Sequence, residues 1–256
     1  MMVLPSEKYL GEMLLRVDVH KIRVVREHVK HSIASANEDL LLAVYAACDQ
    51  QGEYRVSSGE VGRRSLKNTC LAYLLMLDKN EYFLLCQQQF ETANNMTDQI
   101  GCLLPIVHYR NMVREQIVQQ FYTQWQDTAL VVDKWFSAQA MSYAHNALAD
   151  IIELFEHEAY SLHNPNRARS LLGPFIGNSS VFHDSSGRGY EFVAEKIIEL
   201  DAINPQVAAR MANAFLHWRK LNPEQSGVMK RQIEMIAATE NISNDLNELV
   251  TTSLMD

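Results

Sequence analysis

The stretch "SSGEVGRRSLKNTCLAYLLML", Ser57 to Leu77, decides the fold class. After Ser58, the residues Val61, Ser65, Leu66, Thr69, Cys70, Tyr73, Leu74 and Leu77 recur at spacings of three and four, while Glu60, Arg63, Arg64 and Lys67 fall between them. An α-helix turns about 100° per residue, so the first set shares a face and the charged set lies off it. A half-buried strand would need strict alternation, and the stretch has none. It is predicted to be an amphipathic helix that buries the first set.

The same period extends outward along nearly the whole chain. It predicts helices over Val19 to Ser35, Glu38 to Asp49, Glu81 to Thr92, Asp98 to Val107, Met112 to Gln126, Ala129 to Gln139 and Ala144 to His157. Further on it predicts Pro165 to Ile176, Arg188 to Ala202, Pro205 to Leu221, Pro223 to Thr239 and Asn244 to Leu254. Ten Gly and six Pro are few breaks for 256 residues. The expected fold is therefore all-α. Connections of about two to eight residues favour antiparallel neighbours. Stacked helix pairs of the HEAT or armadillo kind, wound into a superhelical array, follow from that. No strict repeat is visible, which disfavours regular ankyrin or tetratricopeptide arrays. One stretch, "GNSSVFHDSSGRG" from Gly177 to Gly189, is rich in Gly, Ser and Asp and is predicted to be a surface loop.

With 23 Lys and Arg against 31 Asp and Glu, the formal net charge is −8. No basic block is long enough to neutralise several phosphates, so neither nucleic acid nor an anionic membrane is expected as a partner. No apolar run reaches the roughly 18 to 20 residues a membrane span needs, and Met1 to Leu10 lacks the pattern of a signal peptide. A cytoplasmic location is expected. Cys48, Cys70, Cys86 and Cys102 lie far apart, without a C-x-x-C, and read as reduced core residues rather than zinc ligands.

Motifs that carry chemistry are absent. A helical zinc peptidase would show H-E-x-x-H, two ligands one turn apart with a carboxylate that activates water. The nearest fragment, His157-Glu158 with His163, spaces its imidazoles on opposite sides of a helix, and both histidines are expected at the surface or in caps. His20, Glu27 and His31 share a face but read as a solvated surface. There is no G-x-S-x-G, P-loop or G-x-G-x-x-G. "DKWF", Asp133 to Phe136, belongs to an apolar pattern and reads as packing. No catalytic and no metal-binding residue is expected in this chain.

Polar chemistry is left at two helix starts. In "HNPNRARSLLGPF", Asn164 is a predicted N-cap and Pro165 the first helical residue. The apolar stripe Ala168, Leu171, Leu172, Phe175 and Ile176 is then flanked on opposite sides by Arg167 and Arg169. Both cations sit where the helix dipole favours anions, so each needs its own explanation. For Arg167 it is a tether to a neighbouring carboxylate such as Asp184, Glu191 or Asp201. "NPQVAAR" repeats the arrangement: Asn204 caps, Pro205 starts, and Gln206 and Arg210 lie one turn apart beside the stripe of Val207, Met211, Ala214, Phe215 and Trp218.

"GEYRVSSGEVGRRSLKNTCLAYLL", "FETANNMTD", "LVVDKWFSAQA", "NPNRARSLLGPF", "GRGYEFVAEKI" and "NPQVAAR" stand in the same order as in the C-terminal helical domain of bacterial alanyl aminopeptidases, the zinc-dependent aminopeptidase N family. The chain resembles that domain from about Leu4 to its end. The resemblance implies that residues 1–256 form the helical domain without its first helices, and that the catalytic zinc domain lies outside this chain. It implies that zinc is the cofactor of the parent enzyme and not of this part. The implied partners are the catalytic domain of the same polypeptide and peptide substrates, whose access a helical array controls. By the matching motifs, Arg169, Gln206 and Arg210 would face the substrate cavity and contact the carboxylate side of a peptide. One face is then expected to expose apolar surface that the catalytic domain covers. Periodicity by itself leaves another reading open, a free-standing helical scaffold that binds a protein partner.

Overall fold

A computed structural model describes residues 4–50 and 52–255. The elements are α1 (Glu7–Glu12), α2 (Val19–Ala36), α3 (Glu38–Cys48), α4 (Ser58–Leu75), α5 (Asn80–Thr92), α6 (Met96–Ile106), α7 (Met112–Trp125) and α8 (Ala129–Ala140). They continue as α9 (Ala147–Glu153), α10 (Pro165–Gly177), α11 (Ser179–Phe182), α12 (Arg188–Asp201), α13 (Pro205–Ala212), α14 (Pro223–Ala238) and α15 (Asn244–Met255), with short 3-10 turns between. Among the described residues there is no strand, only an isolated bridge between Val17 and Leu221. The all-α expectation holds, and most predicted helix ends fall within two residues of the observed ones. The chain divides into two compact units, one of Leu4 with residues 24–129 and one of residues 5–23 with 130–255.

In the first unit α3 packs on α4, α4 and α5 on α6, and α6 on α7. Leu71, Leu74, Leu75, Cys86, Leu103, Ile106 and Phe121 are fully buried. Side-chain caps start these helices: Ser57, Asn95 and Asn111 each accept from a backbone N–H three residues on.

The phase of α4 differs from the prediction. Arg64 and Lys67 are buried with Cys70, Leu71 and Leu74, whereas Val61 and Leu66 are 53% and 47% exposed. The period was right, but pairing turned two charges inward. Lys67 Nζ lies 2.9 Å from Asp98 and 3.3 Å from Asp49, and Arg64 stacks over the Tyr54 ring at 4.9 Å. A buried charge is tolerated when it is paired. On α2 only Ala34 is buried, and Val24, Val25 and Val29 are exposed.

In the second unit α12 packs on α13 and α14, α15 on α13 and α14, and α10 on α11 and α13. Its core is aromatic: Phe136, Phe155, Phe175, Phe182, Tyr190 and Phe215 are buried. Three elements depart from the sequence reading. The predicted loop at Gly177 to Gly189 is a packed corner, in which α11 buries Val181 and Phe182 and Asn178 donates to the carbonyls of Ala140 and Ser142 at 3.0 and 2.6 Å. The predicted helix from Pro205 to Leu221 stops at Ala212, where Asn213 Nδ2 donates back to the Ala209 carbonyl at 3.1 Å and the chain tightens into 3-10 turns. The predicted helix from Ala144 starts only at Ala147, after Asn146 at φ 61°, and ends in a 3-10 turn at Leu154–Glu156.

His157 is half-buried and sits at the C-cap of the 3-10 turn. Its ring packs 5.1 Å from Trp135 and 5.5 Å from Phe136, and its Nδ1 accepts from the Ala159 N–H at 3.1 Å. His163 is exposed as expected. Cys70, Cys86 and Cys102 are buried, Cys48 is half-buried, and all four are free thiols. Burial pushes the Cys70 and Cys102 thiols up, away from the reactive thiolate.

Candidate functional site

The two predicted helix starts both form as read, and both belong to the second unit. Asn164 Oδ1 accepts from the N–H groups of Asn166 and Arg167 at 3.0 and 3.3 Å, and Asn204 Oδ1 accepts from Val207 N–H at 3.2 Å. Each Pro occupies the first turn, where its missing N–H costs nothing. On α10, Ala168, Leu171, Leu172 and Phe175 are fully buried, so Arg167 and Arg169 must diverge.

They do. Arg167 is 7% exposed and its guanidinium lies 2.7 Å from Asp133 of α8, with a second bond to the Ala159 carbonyl at 2.8 Å. It is a tether, though to Asp133 and not to the acids named from sequence. Arg169 is exposed and folds back on its own helix, its Nε donating to the Pro165 carbonyl at 3.0 Å and its Nη2 to Asn166 Oδ1 at 2.9 Å.

Gln206 and Arg210 are exposed on α13, beside the buried Val207, Ala208 and Ala212. Arg210 falls in the last turn, where the helix dipole favours a cation. Among the described residues its guanidinium has no ion-pair partner. It stands at a half-open cavity of about 510 Å³ in the second unit, lined by Ile22, Ile176, Phe182, Met211 and Leu221 among others. Gly173 and Gly177 of α10 contribute to the wall, but Arg169 and Gln206 do not. The structure thus places Arg210 at the cavity, Gln206 one turn before it, and Arg169 in contacts with its own helix.

Sequence reading missed His183 at this cavity. It lies in the segment taken for a loop, and its Nδ1 is 2.6 Å from the Tyr190 hydroxyl. Burial pushes this imidazole down to about 4, so it is neutral at pH 7, and pushes the Tyr190 phenol up. The cavity therefore combines largely apolar walls and the neutral His183 with three cations, Arg210, Lys8 and Lys220, against two carboxylates, Glu7 and Glu12. It suits an anionic group attached to an apolar body.

Zinc does not fit the residues present. Among the described residues no three His, Cys, Asp or Glu side chains gather where they could hold a metal ion. None of the described helices is long and apolar enough to cross a membrane.

An all-α chain of stacked helices with a ligand-sized cavity belongs to the class of helical-repeat domains. Residues 1–255 match the family model described as "Domain of unknown function (DUF3458_C) ARM repeats", and the chain belongs to that family. It is 35% identical over 254 residues to aminopeptidase N of Escherichia coli and 35% identical over 255 residues to that of Caulobacter vibrioides. Each match covers 99% of this chain, but 29% and 30% of the relative. The crystal structure of Legionella pneumophila aminopeptidase A in complex with aspartic acid superposes with a TM-score of 0.90 at 27% identity, over 99% of this chain and 31% of that one. The resemblance to the helical domain of aminopeptidase N is upheld, and the chain spans about three tenths of the length of the relatives it matches.

Proposed function

We propose that this chain is the C-terminal helical part of a cytoplasmic zinc aminopeptidase that removes N-terminal residues from peptides. It caps the substrate cavity, limits access to it, and binds the carboxylate side of the peptide. The observation that carries this reading is Arg210, a guanidinium with no ion-pair partner among the described residues, standing at a largely apolar cavity on a family-matched domain. A guanidinium offers a bidentate, permanently charged partner to a carboxylate, which a lysine does not. Gln206, one turn away, would add an amide donor. Arg169 would join by exchanging its exposed contact with Asn166 for the substrate. Water activation and the zinc itself belong to the rest of the polypeptide, because no step of that chemistry can be assigned to residues of this chain.

The test uses the whole polypeptide. Arg210→Ala should raise KM for peptides with a free carboxylate by about tenfold or more, the worth of one charge-assisted contact, and leave amide substrates without a carboxylate almost unchanged. An equal effect on both substrate types would remove the carboxylate role. The isolated chain, lacking H-E-x-x-H, should release nothing from alanyl-p-nitroanilide with added zinc, and zinc-dependent turnover would overturn the domain assignment.

A further inference from the structure

The first unit holds a second, half-open cavity, of about 300 Å³, between the loop before α4, α4 itself and the start of α6. Four cations and four carboxylates line it, so its formal charge is zero. Most of these charges are satisfied by one another. Arg63 grips Glu60 through Nε at 3.2 Å and Nη2 at 2.7 Å, and Lys67 is held between Asp49 and Asp98.

Two guanidinium groups keep donors unspent. Arg64 is only 3% exposed; its Nη1 donates to the Arg55 carbonyl at 3.2 Å and lies 3.5 Å from Glu60 Oε2, but its Nε has no acceptor among the described residues. Arg55, on the exposed loop that covers it, makes no ion pair among the described residues. A buried donor without an acceptor is costly, and a planar fork of N–H groups is matched best by a carboxylate.

We propose that this cavity binds a small carboxylate, of the size of a free amino acid, between Arg64 and Arg55 with the Tyr54 ring as one wall. The volume lies at the lower end of the range for small-molecule sites, about 300 to 1,000 Å³. The balanced lining suits a monoanion or a zwitterion better than a dianion, which would face Glu53, Glu60 and Asp49 as well as the cations. Glu53, two residues before Arg55, supplies a carboxylate for an ammonium group. This site is independent of the peptide reading at Arg210, since it uses neither that residue nor that unit.

The experiment titrates the 256-residue chain with acetate, glycine, glycinamide and inorganic phosphate while NMR follows the arginine Nε–H resonances, that of Arg64 being assigned by its loss in Arg64→Lys. Acetate and glycine should shift it saturably with a midpoint on the order of 1 mM, and glycinamide should not. Arg55→Ala, an exposed change that keeps the backbone carbonyl, should raise the midpoint about tenfold. A shift with glycinamide equal to that with glycine, tighter binding of phosphate than of acetate, no saturable shift, or an unchanged midpoint in Arg55→Ala would each overturn the proposal.

Discussion

The Arg167 guanidinium lies 2.7 Å from the Asp133 carboxylate, with the two side chains 9% and 16% exposed. This pair joins the opening turn of α10 to the middle of α8, and the Phe136 ring sits 5.2 Å from the same guanidinium. A cation at a helix N-terminus is electrostatically misplaced, and here a carboxylate from another helix offsets it.

Removing one partner of that pair strands a buried charge. Asp133→Ala should lower the stability of the chain by about 3 to 5 kcal/mol, and Arg167→Ala by a similar amount. Urea unfolding of both single variants and the double variant checks this. The double variant should cost clearly less than the sum of the two, because neither charge is then left alone.

Arg169→Ala should behave oppositely. Its contacts are exposed and lie within its own helix, so the change should stay within about 0.5 kcal/mol by the same unfolding measurement. A large loss would mean that Arg169 carries tertiary structure.

The neutral His183 makes stability depend on pH. Its folded value near 4 lies below the ordinary imidazole value of 6.5, so between these limits the unfolded chain binds more protons than the folded one. Stability should be fully present above pH 6.5 and fall as the pH drops toward 4, by up to about 3 kcal/mol. His157, also shifted down by burial, acts in the same direction. His183→Gln should flatten most of the slope between pH 4.5 and 6.5, and an unchanged slope would assign it elsewhere.

Gly189 opens α12 directly beneath α11. A Cβ at this position would lie 2.3 Å from the Val181 carbonyl oxygen and 2.7 Å from that of Phe182. Backbone cannot step aside as a flexible side chain can, so Gly189→Ala should lower the thermal midpoint by an amount equivalent to at least about 1 to 3 kcal/mol. Gly173→Ala, where a Cβ meets nothing within 4 Å, is the control.

Local signals carried much of this molecule in readable form. Asn164-Pro165 and Asn204-Pro205 announced their helix starts, because capping needs only the residue itself and the next two or three N–H groups. The divergence of Arg167 and Arg169 also followed from 100° per residue. The stop of α13 at Ala212 was not anticipated, because Asn213 competes for a backbone carbonyl inside an otherwise helical apolar period. The corner from Gly177 to Gly189 misled for the opposite reason: a polar, glycine-rich composition resembles a loop, and only packing shows that Val181, Phe182 and His183 close a cavity.

The sequence by itself determined the helical class, most helix boundaries, the caps and the family, all of which depend on periodicity, nearest neighbours or ordered motifs. Tertiary structure decided which charges are buried. Lys67 and Arg64 looked like solvated residues until Asp98, Asp49 and Tyr54 came within reach, and Arg167 had three candidate acids before Asp133 took it. A charge chooses its place by which opposite charge the fold brings to it, and that partner can lie tens of residues away in the chain.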